Sequence, residues 1–248
     1  LALDVQDRRS GTSDIWIHDL ARGAPTRLHF DPTDEVRPIW FPDGKRIAYR
    51  SDRKGPPDIY AIDLSAPGTE HPLLQLLTVE TALDVSPDGR WIAFEQDSRL
   101  TGSDLWLLPL SGESRPRPFL QTRFDEGDLR FSGDGRWAAY VSDESGRPEV
   151  YVTPFGRSGE KVRVSTAGGR QPRWRRDGGE LYWVAPGGEL MAATLRSTGD
   201  QVRIEAPKAL FRVETGIAQL DVTPDGTRFL VSTALSKVTE PPIEVVVN

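Results

Sequence analysis

The stretch FPDGKRIAYRSD at residues 41–52 contains the feature that decides the fold. Proline fixes φ at the second position of a tight turn, aspartate can bond to its own backbone, and glycine takes the positive φ that closes the turn. Short apolar runs stand on both sides, PIW before the turn and RIAY after it. The stretch therefore predicts a β-hairpin that bends at Asp43 and Gly44.

The same turn recurs along the chain, with its aspartates 45, 46, 43 and 48 residues apart. A repeat of this length that contains several short strands indicates a β-propeller. A β-sandwich is the competing all-β interpretation, but a sandwich would not repeat one turn signature at this period. The five turns are FPDG at 41–44, SPDG at 86–89, SGDG at 132–135, RRDG at 175–178 and TPDG at 223–226.

Each hairpin is followed by a third strand that opens with an acidic residue and by a weaker fourth strand. We expect the acidic side chains to accept hydrogen bonds within their own blade. We also expect the aromatic residues that recur at fixed places in the repeat to pack between blades. The acidic residues are Asp14, Asp58, Asp104, Glu149 and Glu189, and the aromatic ones are Trp16, Trp40, Tyr60, Trp106, Phe131, Tyr151 and Trp174.

The repeats predict an all-β fold, a six-bladed β-propeller of four-stranded antiparallel blades that forms one domain over residues 1–248. The first blade lacks its inner strand and the last lacks its outer strand. In a closed ring these two strands would be consecutive just before Leu1, so we expect a longer parent protein. A five-bladed ring, with the partial units merged, is the alternative. The predicted blades are 1–30, 33–77, 79–121, 125–165, 168–212 and 216–248.

The repeat resembles that of a known bacterial family. Ser-Pro-Asp-Gly, a basic residue, Ile-Ala-Tyr and Ser-Asp, followed by Gly and Asp-Ile-Tyr, resemble the TolB-type, WD-like propeller repeat, and the best copy is 40–60. The tail PIEVVVN at 242–248 resembles the end of propellers appended to some bacterial Ser/Thr kinases. The first resemblance implies a protein partner in the bacterial envelope and the second an extracytoplasmic sensor region. Both imply a periplasmic or extracytoplasmic location, with the cytoplasm as the alternative.

Composition excludes several functional classes. The 31 Lys and Arg against 37 Asp and Glu leave a net charge of −6, which argues against nucleic-acid binding. The absence of cysteine excludes disulfides, thiolate metal sites and cysteine nucleophiles. No apolar run approaches the length of a membrane span. Enzyme signature motifs are missing, so the sequence assigns no catalytic residue, no cofactor and no metal.

Candidate binding residues lie where the repeat is broken on the innermost strand, which faces the central channel of a propeller. Aligned on the turn, one position holds Ile39, Asp84, Arg130, Arg173 and Asp221, and a second, two residues earlier, holds Arg37, Ala82, Asp128, Gln171 and Gln219. Unlike charges at these positions either pair with one another or bind a ligand at the channel mouth. The candidates are Arg37, Asp84, Asp128, Arg130, Arg173 and Asp221.

Two further charged groups precede or flank the innermost strands. Arg170, Arg175 and Arg176 surround Trp174 and form a candidate anion patch, because arginine binds carboxylate or phosphate in a fork. The acidic residues match the spacing of no calcium loop, and we expect them to be solvated at the surface. They are Asp31, Asp34 and Glu35 in one loop and Asp125 and Glu126 in an equivalent loop.

These features favour a non-enzymatic binding or sensor module that presents a rim and a channel to a protein or a small ligand. The alternative is a catalytic propeller, a lyase or hydrolase acting on a small or saccharide substrate through channel-mouth Arg and Asp side chains. The incomplete blades leave unpaired strand edges, which also predict self-association.

Overall fold

A computed structural model describes residues 1–7, 9–28, 32–66, 68–112, 115–199, 201–213, 217, 219–233 and, for the backbone, 245–247. Asp31 and most of the tail at 242–248 lie outside these residues. The chain forms two compact units, Leu1–Gln121 and Thr122–Asn248. All described secondary structure consists of strands, and no described helix is long and apolar enough to cross a membrane.

The strands form six antiparallel sheets, called blades 1 to 6 in chain order. Blades 1 to 3 belong to the first unit and blades 4 to 6 to the second. The first unit contains β1 Ala2–Gln6, β2 Ser13–His18 and β3 Pro25–Arg27; β4 Glu35–Trp40, β5 Arg46–Ser51, β6 Asp58–Asp63 and β7 His71–Leu74; and β8 Glu80–Val85, β9 Trp91–Ser98, β10 Gly102–Pro109 and β11 Arg117–Leu120.

The second unit continues the same succession of hairpins. It contains β12 Glu126–Phe131, β13 Trp137–Ser142, β14 Glu149–Pro154 and β15 Val162–Arg163; β16 Arg170–Trp174, β17 Glu180–Val184, β18 Glu189–Thr198, β19 Gln201–Ile204 and β20 Lys208–Arg212; and β21 Gln219–Val222, β22 Arg228–Ser232 and β23 Val245–Val247. In the described residues, blades 1 and 6 have three strands each, in the orders β1-β2-β3 and β21-β22-β23. The all-β propeller fold is therefore confirmed, and the number of blades in a closed ring stays a prediction.

The repeated turn forms as its residue types require. In blade 3, Gly89 has a φ of 69° and its N–H donates to the carbonyl oxygen of Ser86 at 2.8 Å. Oδ1 of Asp88 accepts from the Ser86 hydroxyl at 2.6 Å and from the N–H of Arg90 at 3.0 Å. The side chain thus replaces hydrogen bonds that the backbone cannot make at a sharp bend.

Blade 5 has one strand more than the repeat predicts. β18 is ten residues long, and its second half pairs with the additional strand β19, from Leu195 opposite Ile204 to Thr198 opposite Gln201. Its first half pairs with β20, as the repeat predicts for the fourth strand. The β18–β19 hairpin packs against blade 4, where Leu195, Val202 and Ile204 join the apolar cluster around Trp137.

Apolar side chains fill the space between successive sheets within each unit. In the first unit Ile59, Ile92 and Phe94 are completely buried in one apolar cluster. In the second unit Trp137 and Trp183 belong to a separate apolar cluster. The prediction that the repeated aromatic residues are core is correct for Tyr60, Phe131, Tyr151 and Trp174 and wrong for Trp40. Trp40 is 36% exposed because Phe41, one residue later, is the side chain that faces the cluster.

Candidate functional site

The first strands of blades 2, 3, 4 and 5 share a β-bulge. In blade 2, Val36 of β4 lies opposite Arg50 of β5, and Ile39 lies opposite Ala48. β4 therefore has two residues between these pairs where β5 has one. Equivalent register shifts separate Gly127 from Arg130, Arg170 from Arg173 and Ala82 from Asp84. A bulge bends its strand and redirects a side chain. Both alignment positions chosen from the sequence lie in or beside these bulges.

Three of the bulges contain a residue with left-handed backbone conformation that is not glycine. They are Arg37 with a φ of 57°, Asp128 with 54° and Gln171 with 56°. Such a conformation costs roughly 1–2 kcal/mol for a residue with a Cβ. These residues are three of the five in one column aligned on the turn, so the unusual conformation recurs at the same place in blades 2, 4 and 5.

Neighbouring blades are connected at these strained residues. The N–H of Gln171 donates to Oδ2 of Asp128, from blade 5 to blade 4, over 3.3 Å. The N–H of Arg37 donates to Oδ1 of Asp4, from blade 2 to blade 1, also over 3.3 Å. β1 thus contacts β4 through the side chain of Asp4. Asp4 was not among the sequence candidates, because the repeat assigns its strand to the second place in a blade.

In the other column of candidates, the two arginines make one kind of side-chain hydrogen bond and the two aspartates make another. Nη1 of Arg130 donates to the carbonyl oxygen of Leu129, and Nη1 of Arg173 donates to that of Pro172, each at 2.9 Å. In the same way Asp84 and Asp221 accept the N–H of the following residue at 2.9 Å. At this position in the strand, each arginine therefore bonds to the backbone of the preceding residue and each aspartate to the backbone of the following one.

Within the second unit these candidates come together across blades 4, 5 and 6. Nε of Arg173 lies 3.8 Å from Oδ1 of Asp221, and the indole Nε1 of Trp174 donates to the carbonyl oxygen of Arg130 at 3.0 Å. The Arg173 side chain is 16% exposed and the Asp221 side chain 65%. Arg37 and Asp84 lie on β4 and β8 of the first unit.

The three arginines of the candidate anion patch lie at different ends of β16. Arg170 begins the strand, whereas Arg175 and Arg176 follow its last residue. Arg175 is engaged by two carboxylates, Asp177 at 2.8 Å from its Nε and Glu180 at 3.2 Å from its Nη1. The backbone N–H of Arg176 donates to the carbonyl oxygen of Pro224 at 3.0 Å. Anion binding by these three residues stays a prediction. None of the contacts described above links one of these arginines to another.

The first strands of blades 2, 3 and 4 begin with a buried glutamate. The prediction of solvated surface acids is wrong for Glu35 and Glu126, which are 0% and 1% exposed. Oε1 of Glu35 accepts from the hydroxyls of Thr33 at 2.7 Å and Ser51 at 3.0 Å, and Nη2 of Arg53 lies 3.3 Å away. Burial nevertheless raises the pKa of Glu35, because the side chain is removed from water.

Glu80 occupies the same position in blade 3 and is completely buried. Its Oε1 accepts from the Thr78 hydroxyl at 2.5 Å, and burial raises the pKa of its carboxyl group. The sequence does contain a signal for this arrangement, the pattern Thr-x-Glu at 33–35 and again at 78–80. No group of three or more His, Asp and Glu side chains suited to a metal ion occurs in the part of the chain that the structure describes.

Comparison with known proteins supports the fold. Residues 121–243 match the family described as the lipoprotein LpqB beta-propeller domain. TolB from Acinetobacter baumannii superposes with a TM-score of 0.72 at 22% identity, over 95% of this chain and 58% of its own length. The chain therefore spans less than two thirds of that protein.

Two further structures show the same architecture. A putative TolB from Agrobacterium tumefaciens has a TM-score of 0.63 at 15% identity, over 87% of this chain and 83% of its own. The periplasmic gluconolactonase of Pseudomonas aeruginosa has a TM-score of 0.62 at 16% identity, over 93% of this chain and 75% of its own. The same fold thus occurs in TolB and in an enzyme, the gluconolactonase. The chain has the β-propeller fold of TolB, and its residues 121–243 match the family described as the lipoprotein LpqB beta-propeller domain.

Proposed function

We propose that the chain is a non-enzymatic binding module and that the bulged first strands of the second unit form its binding surface. The observation that carries this proposal is the left-handed conformation of Asp128 and Gln171, repeated at Arg37. Glycine would adopt this conformation without strain, yet each position has a polar side chain. Strained backbone of this kind is concentrated at functional sites.

The charges on this surface suit a polar ligand. Asp128 and Arg130 lie on β12, Arg173 on the neighbouring β16 and Asp221 on β21. The alternation of acid and guanidinium across three strands offers both acceptors and forked donors. A protein segment or a small molecule with groups of both signs would match it.

A location outside the cytoplasm and a protein partner belong to the same proposal. The family matched by the second unit is a lipoprotein domain, and the Pseudomonas protein is described as periplasmic. The three-stranded blades 1 and 6 add the proposal of self-association through open strand edges. A sensor role follows if the partner is a signalling protein. Fractionation of the source cells, followed by immunodetection of the chain, tests the location.

The binding surface is tested by photo-crosslinking in the source cells. A photoreactive amino acid is placed at Arg173 in one version and at Arg163 in another, since Arg163 is exposed on the outermost strand of blade 4. We expect a crosslink to a partner protein from position 173 and none from position 163. The crosslink from position 173 should disappear when Arg130 is changed to Ala. Identical crosslinks at both positions would contradict the proposal.

Catalysis is the alternative function, and the gluconolactonase provides the substrate with which to test it. The purified chain is incubated with gluconolactone and ring opening is followed by proton release. Turnover that disappears in the Arg130→Ala, Arg173→Ala double variant, but not in Arg163→Ala, would replace binding by catalysis. We expect no turnover above the uncatalysed rate.

A further inference from the structure

Four of the seven exposed large apolar side chains in the described part of the chain lie in two loops that adjoin blade 3. Leu76, Leu77 and Val79 belong to the loop that leads from β7 into β8, and Leu100 belongs to the loop between β9 and β10. Leu77 is 96% exposed and Leu100 is 95% exposed. Single exposed leucines are normal on a protein surface, whereas a group of them marks a contact site. We call these four residues the apolar loop patch.

The two loops lie at the same end of blade 3. Glu80, the first residue of β8, pairs with Gln96 near the end of β9, and Ser98 pairs with Gly102 next to the β9–β10 loop. The β5–β6 loop of blade 2 is at this end too, because β6 begins there and its antiparallel partner β7 ends there. Three loops of the first unit therefore surround the apolar loop patch.

Hydrogen bonds to buried carboxylates fix the loop on both sides of Leu77. The N–H of Leu76 donates to Oδ1 of Asp58 at 3.2 Å, and the Thr78 hydroxyl donates to Oε1 of Glu80 at 2.5 Å. Asp58 is 5% exposed and Glu80 is completely buried. A conformation that buries the Leu77 side chain would have to break these bonds, so its exposure is a property of the folded structure.

The β9–β10 loop holds Leu100 in a similar way. The N–H of Leu100 donates to the hydroxyl of Ser98 at 3.2 Å. The Thr101 hydroxyl donates at 2.7 Å to Oδ2 of Asp104, which is 1% exposed. Because both leucines are held in water, the hydrophobic free energy of burying them remains available for binding to an apolar phase.

The same three loops are basic, although the protein as a whole is acidic. They contain Arg53, Lys54 and Arg99 against one acidic residue, Asp52, in a chain whose net charge is −6. Lys54 and Arg99 are exposed, and Arg99 directly precedes Leu100. Exposed apolar side chains next to exposed cations suit the surface of an anionic lipid bilayer, which attracts the cations and takes up the apolar groups.

We propose that the apolar loop patch docks onto an anionic lipid bilayer. Leu77 and Leu100 enter the boundary between headgroups and acyl chains, and Lys54 and Arg99 contact lipid phosphates. A bilayer suits projecting loop leucines better than a protein does, because it needs no matching pocket, whereas protein interfaces depend on aromatic and arginine anchors and rarely on leucine. The inference does not rest on the binding surface proposed above, because that surface lies in the second unit.

The test is flotation of the 248-residue chain with lipid vesicles. Vesicles of phosphatidylglycerol and phosphatidylcholine in equal parts are compared with vesicles of phosphatidylcholine alone. We expect about tenfold tighter binding to the anionic vesicles, because Lys54 and Arg99 each add to the attraction. Equal binding to both kinds of vesicle, or binding to neither, would overturn the proposal.

Matched leucine variants locate the contact. The double variant Leu77→Ser, Leu100→Ser should bind anionic vesicles at least about tenfold more weakly, since it removes two apolar side chains from the contact. Leu20→Ser is the control, because Leu20 is 74% exposed in the β2–β3 loop, at the opposite end of blade 1 from the residues that contact the start of β4. Thermal unfolding checks that all variants are folded. Equal binding by the double variant and the control would refute the assignment.

The absence of cysteine from the chain allows a second readout. Leu77→Cys, Leu100→Cys and Leu20→Cys each provide one thiol for an environment-sensitive fluorophore. With anionic vesicles we expect a blue shift of the emission from positions 77 and 100 and none from position 20. Dimerisation in sedimentation experiments that the double serine variant abolishes, together with no blue shift, would replace the bilayer by a second copy of the chain.

Discussion

Gln171 donates its backbone N–H to the carboxylate of Asp128 in the neighbouring blade while its own backbone is left-handed, with a φ of 56°. Arg37 and Asp4 repeat this relationship in the first unit at the same distance. The hydrogen bond uses a backbone group, so the residue type at position 171 affects the conformational strain and leaves the donor in place.

We therefore predict opposite effects for two substitutions of Gln171. Gln171→Val should lower the free energy of unfolding by about 2 kcal/mol, because a β-branched side chain opposes a positive φ. Gln171→Gly should leave it within about 0.5 kcal/mol of the unmodified protein, because relief of strain offsets the entropy of glycine in the unfolded chain. Urea denaturation of the two variants measures the difference. Equal stability of Val and Gly variants would show that the position carries no strain.

Gly133 should not tolerate any side chain. A Cβ at this position would lie 1.9 Å from the carbonyl oxygen of Arg176, a backbone atom of the neighbouring turn. We predict that Gly133→Ala lowers the free energy of unfolding by about 2 kcal/mol or more, because two backbones must separate. Gly156→Ala is the control, since its Cβ would meet nothing within 4 Å. It should cost about 1 kcal/mol, for its positive φ alone. Comparable losses in both variants would refute the close approach.

Glu80→Gln should change the pH dependence of stability. Burial raises the pKa of Glu80, so the native state holds a proton that the unfolded chain has released. That contribution is fully present below the ordinary pKa of glutamate and is lost as the pH rises through the raised value. Glutamine resembles the protonated form at every pH. In urea denaturation we expect the variant to gain on the unmodified protein as the pH rises above the ordinary pKa of glutamate.

Asp225→Asn should change the pH dependence of stability in the opposite direction. Hydrogen bonds from Thr223 and Thr227 lower the pKa of Asp225 to about 2. Its contribution is therefore present above the ordinary pKa of aspartate and is lost as the pH falls toward about 2. The Asn variant should be less stable than the unmodified protein at neutral pH and should approach it in acid. A parallel pH profile for the Glu80 and Asp225 variants would contradict both assignments.

Arg53→Ala should be one of the more costly surface-facing substitutions in the first unit. Its guanidinium donates to Tyr49 at 3.0 Å and lies 3.3 Å from the buried Glu35. Removal leaves that carboxylate without its positive partner, and we expect a loss of about 2 kcal/mol in the free energy of unfolding. Arg22→Ala breaks an exposed 3.7 Å pair with Asp19 and should cost less than about 0.5 kcal/mol. Thermal unfolding of both variants gives the comparison.

Local patterns in the sequence predicted most of the sheet structure. The turn at Asp88 and Gly89 is determined within a few residues, because the side chain of Asp88 accepts hydrogen bonds from Ser86 and Arg90, each two residues away. The β18–β19 hairpin was missed because the repeat has no place for a fifth strand. Its residues continue the alternation of β18 without a turn signal as strong as the repeated one.

By itself the sequence determined where the hairpins bend and that the chain forms an all-β propeller, since four-residue turns and short apolar strands depend on nearby residues. Only the tertiary structure decided which side chains are buried and which distant residues they contact. The burial of Glu80, the contact of Gly133 with Arg176 and the hydrogen bond from Arg136 to Gly199 each depend on packing between strands or blades. Gly133 and Arg176 are 43 residues apart and Arg136 and Gly199 63, so no local pattern contains both partners of either contact.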